Sequence, residues 1–470
     1  MSIRKNVVVS AVVALLSWLP LTSWSQDLGC DPEVALNGAV IEVAASSGGD
    51  DTANIQCALD AAVRDGYREV FLTSASYGIS AIEVTNYTGD LRGRSASNTV
   101  VNVLDSSLVC DTEVPGTALR FNQGSATLRR MTITVGSPCG DGSVANVVGY
   151  FTNPSDCSKR TTNGNVDRVV FSGAGASGSD VVTGVLMDAA PECDPLSQKV
   201  LGTLKVNRST LSGLEFGVLA SVAGGGQVDI NYNEMSSLGV PISIVDASQS
   251  TTILGNAISY NDESGYNPGT GLGTTAIYIA STADSPSDNS TTIKSNTFTD
   301  AGSGAEGYAV LSGQTGKSIN HGMVIAGNTF VGNAGNTNGA GVAVIDTSDG
   351  LVSANTFRQS AGTWISLTSG SAADGFLGGT VSGWALVSNS FASSSAATDI
   401  TLGTNTEGII VGRNQNQPVV DDSGANDVLE SSASASFFID APVGLGPTAL
   451  HRRQLETIRG SGVPVRSLGR

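Results

Sequence analysis

Aromatic residues are scarce in this sequence, at 5%, and charged residues make up only 14% of it. A chain of long amphipathic helices needs a charged outer face, so a helical bundle is excluded. Histidine is nearly absent: His321 and His451 are the two present. No pair of cysteines has the C-x-x-C spacing, so no zinc site is expected. Lys and Arg number 24 against 42 Asp and Glu, a net charge of -18. The last twenty residues nevertheless hold Arg452, Arg453, Arg459, Arg466 and Arg470 against Glu456, so the body is more acidic still. Such a body disfavours nucleic acid and anionic membrane surfaces as partners. Beyond the N-terminus no apolar run is long enough to span a bilayer.

Glycine, by contrast, is abundant, with 58 residues, and the hydrophobic share of 40% is enough for a continuous core. Short strands joined by tight turns fit this composition. At the N-terminus, Arg4 and Lys5 precede an apolar run from Val7 to Leu21, and Ser23-Trp24-Ser25 sets small residues before Gln26. That pattern reads as a secretory signal peptide over residues 1–25 and places the protein outside the cytoplasm, extracellular or periplasmic. Six cysteines, Cys30, Cys57, Cys110, Cys139, Cys157 and Cys193, all lie in the first 193 residues. In an exported chain they are expected as disulfides. Of fifteen connectivities, sequential pairing is the simplest.

One six-residue phrase recurs: an apolar residue, two variable ones, Asn, any residue, and an apolar residue. It reads Ile293-Lys-Ser-Asn-Thr-Phe298, Ile325-Ala-Gly-Asn-Thr-Phe330 and Val352-Ser-Ala-Asn-Thr-Phe357. Looser copies start at Ile230, Ile253 and Leu386; Val411-Gly-Arg-Asn-Gln-Asn416 keeps the Asn and loses the last apolar residue, and copies lacking the Asn start at Leu128, Val166 and Val206. Successive starts are 23 to 40 residues apart. A strand phrase repeated at such a period marks a solenoid. Positions 1 and 6 are expected to point inward, with the Asn at position 4 marking a bend between them, since Asn tolerates left-handed backbone angles. Stacked on successive coils, Asn233, Asn256, Asn296, Asn328, Asn355, Asn389 and Asn414 are expected to form a hydrogen-bonded ladder. Residues in excess of a minimal coil form loops, and loops on such scaffolds usually carry function.

Ahead of the repeats, residues 26–49 read as a leader. Asp50-Asp51-Thr52 offers caps for a helix to about Arg64, with Ile55, Leu59, Ala62 and Val63 on one face and Gly66 stopping it. Glu69-Val-Phe-Leu72 then reads as a strand. The stretch DDTANIQCALDAAVRDGYREVFLTSASYGI (residues 50–79) resembles the entry segment of the pectate-lyase-like right-handed parallel β-helix superfamily. Leu72-Thr-Ser-Ala-Ser-Tyr77 stands where that group carries an L-P-x-G-x-Y turn, without its Pro and Gly. The resemblance implies an all-β fold, a right-handed parallel β-helix of about ten or more coils with an N-terminal capping helix. The β-helix is expected over residues 50–420. Residues 421–470 are expected as a C-terminal capping segment with a basic tail. Members of the superfamily often act on acidic polysaccharides.

Position 3 of the Asn-less copies is Arg130, Arg168 and Arg208. Unpaired guanidiniums are not buried, so these residues are expected at the bend. Lys205, with Arg168 and Arg208 beside it, is the candidate catalytic set of a polysaccharide lyase: a base for the proton next to a uronate carboxylate, and cations to neutralise that carboxylate. Asp167, Asp229, Asn207 and Asn231 are candidate substrate or Ca²⁺ ligands, Ca²⁺ being the one cofactor these residue types suggest. The partner expected is a polysaccharide or cell-surface glycan, bound by a monomer. The alternative is a non-catalytic solenoid that binds glycans or other surfaces. A glycoside hydrolase would need paired carboxylates, and the acidic pairs stand on no repeated strand position.

Overall fold

The computed structural model describes residues 28–429, apart from 47, 105–115, 137–143, 174–180, 194–199, 223–225, 246–249, 261–273, 281–289, 302–306, 314–320, 334–339, 346, 359–362, 369–379, 393–398, 416–418 and 423–424, together with 465–467. The signal peptide expected over residues 1–25 and most of the C-terminal segment expected over residues 421–470 lie outside the described residues.

A typical coil runs Ser290–Lys294, Thr297–Asp300 and Gly307–Ser312, and each strand pairs in parallel with its counterpart one coil away. Three strand columns result. The first face stacks fourteen parallel strands from Val40–Val43 to Asp427–Leu429. The second runs from Ser76–Ile79 to Ser390–Ala392. The third runs from Ile82–Thr85 to Val419–Asp421. The chain is a right-handed parallel β-helix. The stack is longer than the repeats alone suggest, and it starts inside the segment expected as a leader. Val34–Asn37 pairs antiparallel on the first strand and Val465–Ser467 antiparallel on the last, covering edges that would otherwise invite association.

The hexad accounts for the turn between the first and second faces. Position 1 residues Ile230, Ile253, Ile293, Ile325 and Val352 are fully buried, and position 6 residues Met235, Ile258, Phe298, Phe330 and Phe357 nearly so. Three of the latter stack in a row with Phe391 of a later coil: Phe298 on Phe330, Phe330 on Phe357 and Phe357 on Phe391, with ring centroids 4.9, 4.7 and 5.0 Å apart. The bend itself departs from expectation. The left-handed residue is position 3, not the Asn. Arg130, Arg168, Arg208, Tyr232, Gly255, Ser295, Gly327, Ala354, Ser388 and Arg413 all have φ between 51 and 67°. Turning one residue earlier points the Asn side chain into the core, where each is at most 2% exposed.

The helix, α1, spans Thr52–Asp65 and ends at Gly66 with φ 78°. Ile55, Ala58, Leu59, Ala61 and Ala62 are buried against the first coil, whereas Val63 is 37% exposed, one step past the buried face. Asp51 does not cap the helix; its carboxylate accepts from the backbone N–H of Ser46 and Gly78 and ties the leader to the second face. Asp50, one residue before the N-cap, accepts from the backbone N–H and hydroxyl of Thr52, and these bonds hold its carboxyl below the usual range.

Candidate functional site

The turns divide the surface unequally. Between the first and second faces, every coil from Leu128 onward has the same tight bend, whereas the coil before it makes this turn through residues 93–99. The long insertions flank the third face: Ala301–Gly307 enters it from the second face in the typical coil, and Gly313–Asn320 leaves it for the first. The first face and its bend are therefore open, while the third is bordered by loops on both sides.

On the open side, register brings the sequence candidates together. Asn165, Lys205 and Asp229 are consecutive partners across three coils, and so are Asp167, Asn207 and Asn231. Arg168, Arg208 and Tyr232 hold the bend position of those same coils. These nine residues make a three-by-three patch, because alternate residues of a strand share a face. Asp167 is its anchor. Its Oδ1 accepts from Arg208 Nε at 2.8 Å, and its Oδ2 lies 3.3 Å from Arg168 Nε. Lys205 Nζ lies 3.8 Å from Asp229 Oδ2, which also accepts from the Gln227 amide. The three cationic side chains are 46 to 55% exposed, against 14% for both aspartates. The carboxylates sit low and steady the cations, whose outer edges face solvent. One coil earlier, Arg129 pairs with Asp90.

Two further features shape this patch. Tyr232 is 61% exposed, and a Cβ added at Gly255 would come within 2.7 Å of its ring. The ring thus lies against the bend of the next coil and shows its other side to solvent. Asn231 Oδ1 is buried without a hydrogen-bond partner, in a position where native groups are usually satisfied. The other aromatic side chains that a sugar might stack on are placed otherwise: Tyr260, Trp364 and Trp384 are core residues, Tyr278 is half-buried, and Tyr266 lies outside the described residues.

Both aspartates accept from cations or amides, and no group of three or more His, Cys, Asp or Glu among the described residues is arranged to hold a metal.

The third face carries a second charged cluster that periodicity could not reveal. Arg120, with its side chain 15% exposed, donates to both oxygens of Glu192 at 3.2 and 2.9 Å and to Asn122 Oδ1 at 3.0 Å, and lies over the Phe151 ring. Asn122 Nδ2 donates to Glu83 at 2.5 Å. Glu192 belongs to an insertion held by the Cys157–Cys193 disulfide, which packs with Phe151, Leu186 and Ala190. Cys30–Cys57 joins the leader to α1. The third expected pair, Cys110 with Cys139, lies outside the described residues.

Neither a family model nor a curated protein sequence matches the chain. Solved structures do. The A-module of the mannuronan C-5 epimerase AlgE4 from Azotobacter vinelandii is 17% identical, with a TM-score of 0.45 over 82% of this chain and 97% of that one. The catalytic domain of a GH87 alpha-1,3-glucanase is 10% identical, with a TM-score of 0.43 over 83% and 68%. PfbA, a surface adhesin of Streptococcus pneumoniae, is 12% identical, with a TM-score of 0.35 over 82% and 86%. At such identities they resemble this chain in overall winding alone. No helix among the described residues is long and apolar enough to cross a membrane.

Proposed function

We propose that the protein works outside the cytoplasm and binds an acidic polysaccharide on the first-face patch, with Lys205, Arg168 and Arg208 meeting its carboxylates. One observation carries this reading: three exposed cations on two adjacent coils stand beside an exposed tyrosine ring. Sugars are held by stacking on a ring face with polar groups fixing orientation, and carboxylates by guanidinium forks. Asn207 supplies a neutral donor and acceptor for a sugar hydroxyl, and the Asn231 amide nitrogen a further donor. The acidic body is no obstacle, because charges farther away than about 8 Å are largely screened at physiological salt. The two disulfides fit a compartment outside the cytoplasm.

Elimination, with Lys205 as base, is the catalytic extension of the same reading. Its atoms are all on the patch, but each cation is already held by a carboxylate, an arrangement that suits binding. Both are tested together by titrating the full chain with polygalacturonate, alginate and neutral dextran, with and without Ca²⁺. Binding of the acidic polymers that weakens with salt supports the proposal. A rise in ultraviolet absorbance from unsaturated product adds the lyase step. Equal binding of dextran, or binding of none, overturns the proposal.

A further inference from the structure

The bend between the first and second faces carries Arg130, Arg168, Arg208 and Tyr232 on four successive coils, each in the left-handed conformation at φ 57, 56, 51 and 59°. A shared backbone conformation gives these side chains a shared direction of exit. Successive coils are about 4.8 Å apart, so the row is a line of three guanidiniums ending in a ring, parallel to the solenoid axis. Asp167 fixes the orientation of Arg168 and Arg208 from below. Gly255 continues the row and supplies the flat seat for the Tyr232 ring. No insertion interrupts this line between Arg130 and Gly255; the loop of residues 93–99 lies on the coil before Arg130, at its end.

Resting on the polysaccharide reading above, we infer that the polymer lies lengthwise along this bend, that Arg130 and Tyr232 belong to its binding site, and that the row selects a polymer with a carboxylate on every residue. A pyranose residue advances its chain by roughly one ring length, comparable to the rise between coils. A homopolymer of uronates presents carboxylates at a regular short interval that the guanidinium row can meet. A polymer with a uronate at alternate residues leaves part of the row unpaired. A chain lying across the coils would meet Lys205 and Arg208 but would miss Arg130. The ring at the end of the row stacks on a sugar face, a contact that does not depend on charge.

The test compares polygalacturonate with hyaluronan, whose carboxylates alternate with neutral residues, by calorimetric titration of the full chain at matched ionic strength and matched carboxylate concentration. Variants R130Q and Y232A are measured beside R358Q, an exposed arginine on the second face. The expected result is at least about tenfold tighter binding of polygalacturonate, roughly 1.4 kcal/mol. R130Q is expected to weaken polygalacturonate binding about threefold and Y232A about tenfold, and R358Q is expected to leave it unchanged. Equal affinity for the two polymers, or R130Q and Y232A binding as the native chain does, overturns this inference and leaves the polysaccharide reading standing. Binding of neither polymer overturns both. All three substitutions are of exposed side chains, so unchanged thermal midpoints separate lost contacts from lost fold.

Discussion

Asn256 donates twice to Asn296: its backbone N–H and its side-chain Nδ2 meet the same Oδ1 at 2.8 and 2.9 Å. Asn296 passes the pattern on, donating to Asn328 Oδ1 at 3.0 Å and to the Ile253 carbonyl at 2.9 Å. The ladder runs in one direction from Asn233 to Asn414, and Ser209 begins it by donating its backbone N–H to Asn233 Oδ1. Removing one rung strands buried donors and acceptors on both neighbours, at about 1–3 kcal/mol for each unsatisfied group. N296A should therefore lower stability by at least about 2 kcal/mol. N296D should do no better, because a carboxylate cannot donate to Ile253 or Asn328. Urea unfolding of the two variants checks this, and a loss confined to a few tenths of a kcal/mol would contradict it.

The Phe298–Phe330–Phe357–Phe391 stack is the apolar counterpart of that ladder. Phe330 is 1% exposed and has a ring on each side. F330A should cost about 3–5 kcal/mol, and F330L clearly less because most of the volume is kept. Thermal unfolding of the pair tests whether the stack or mere apolarity matters; equal midpoints would argue for the latter.

Arg120 and Glu192 meet because the Cys157–Cys193 bridge holds Glu192 in place beside the third face. Replacing both cysteines by serine should cost about 2–4 kcal/mol. R120Q should also destabilise, since it leaves Glu192 without its bidentate partner. If the cluster and the bridge are one unit, the two changes together should cost less than their sum, which a double-mutant cycle reads directly.

Gly255 offers a way to disturb Tyr232 without touching a charge. Its backbone is left-handed at φ 67°, and an added Cβ would meet the ring. G255A should cost about 1–2 kcal/mol for the backbone conformation and weaken polysaccharide binding by displacing the ring. A variant that binds as the native chain does would remove Tyr232 from the site.

Much of this fold was legible in the repeat. Position 1 and position 6 of the hexad are core residues wherever they were read, and the Asn row is a ladder. The bend was misplaced by one residue because Asn and the residue before it both suit a turn, and only the ladder's inward pull decides between them. Val63 was misassigned because α1 buries a narrow stripe centred on Ala58 and Ala62. The first-face candidates could be grouped from register alone, since strand partners follow from the hexad spacing. Tyr232 is legible in the hexad as an aromatic a sugar can stack on, but its exposure depends on Gly255, one coil and 23 residues later. Arg120, Glu83 and Glu192 could not be found at all: they come from a strand, an early coil and an insertion, and no period links them.

In the proposed complex an acidic polysaccharide is held by Lys205, Arg168 and Arg208. The most direct measurement is the affinity of polygalacturonate for the native chain and for a variant in which all three are alanine, at one ionic strength. These side chains are about half exposed, so the variant should keep its thermal midpoint to within a few degrees. The expected result is a loss of at least about tenfold in affinity, or 1.4 kcal/mol. Unchanged affinity in a folded variant, or a native chain that binds no acidic polysaccharide, would contradict it.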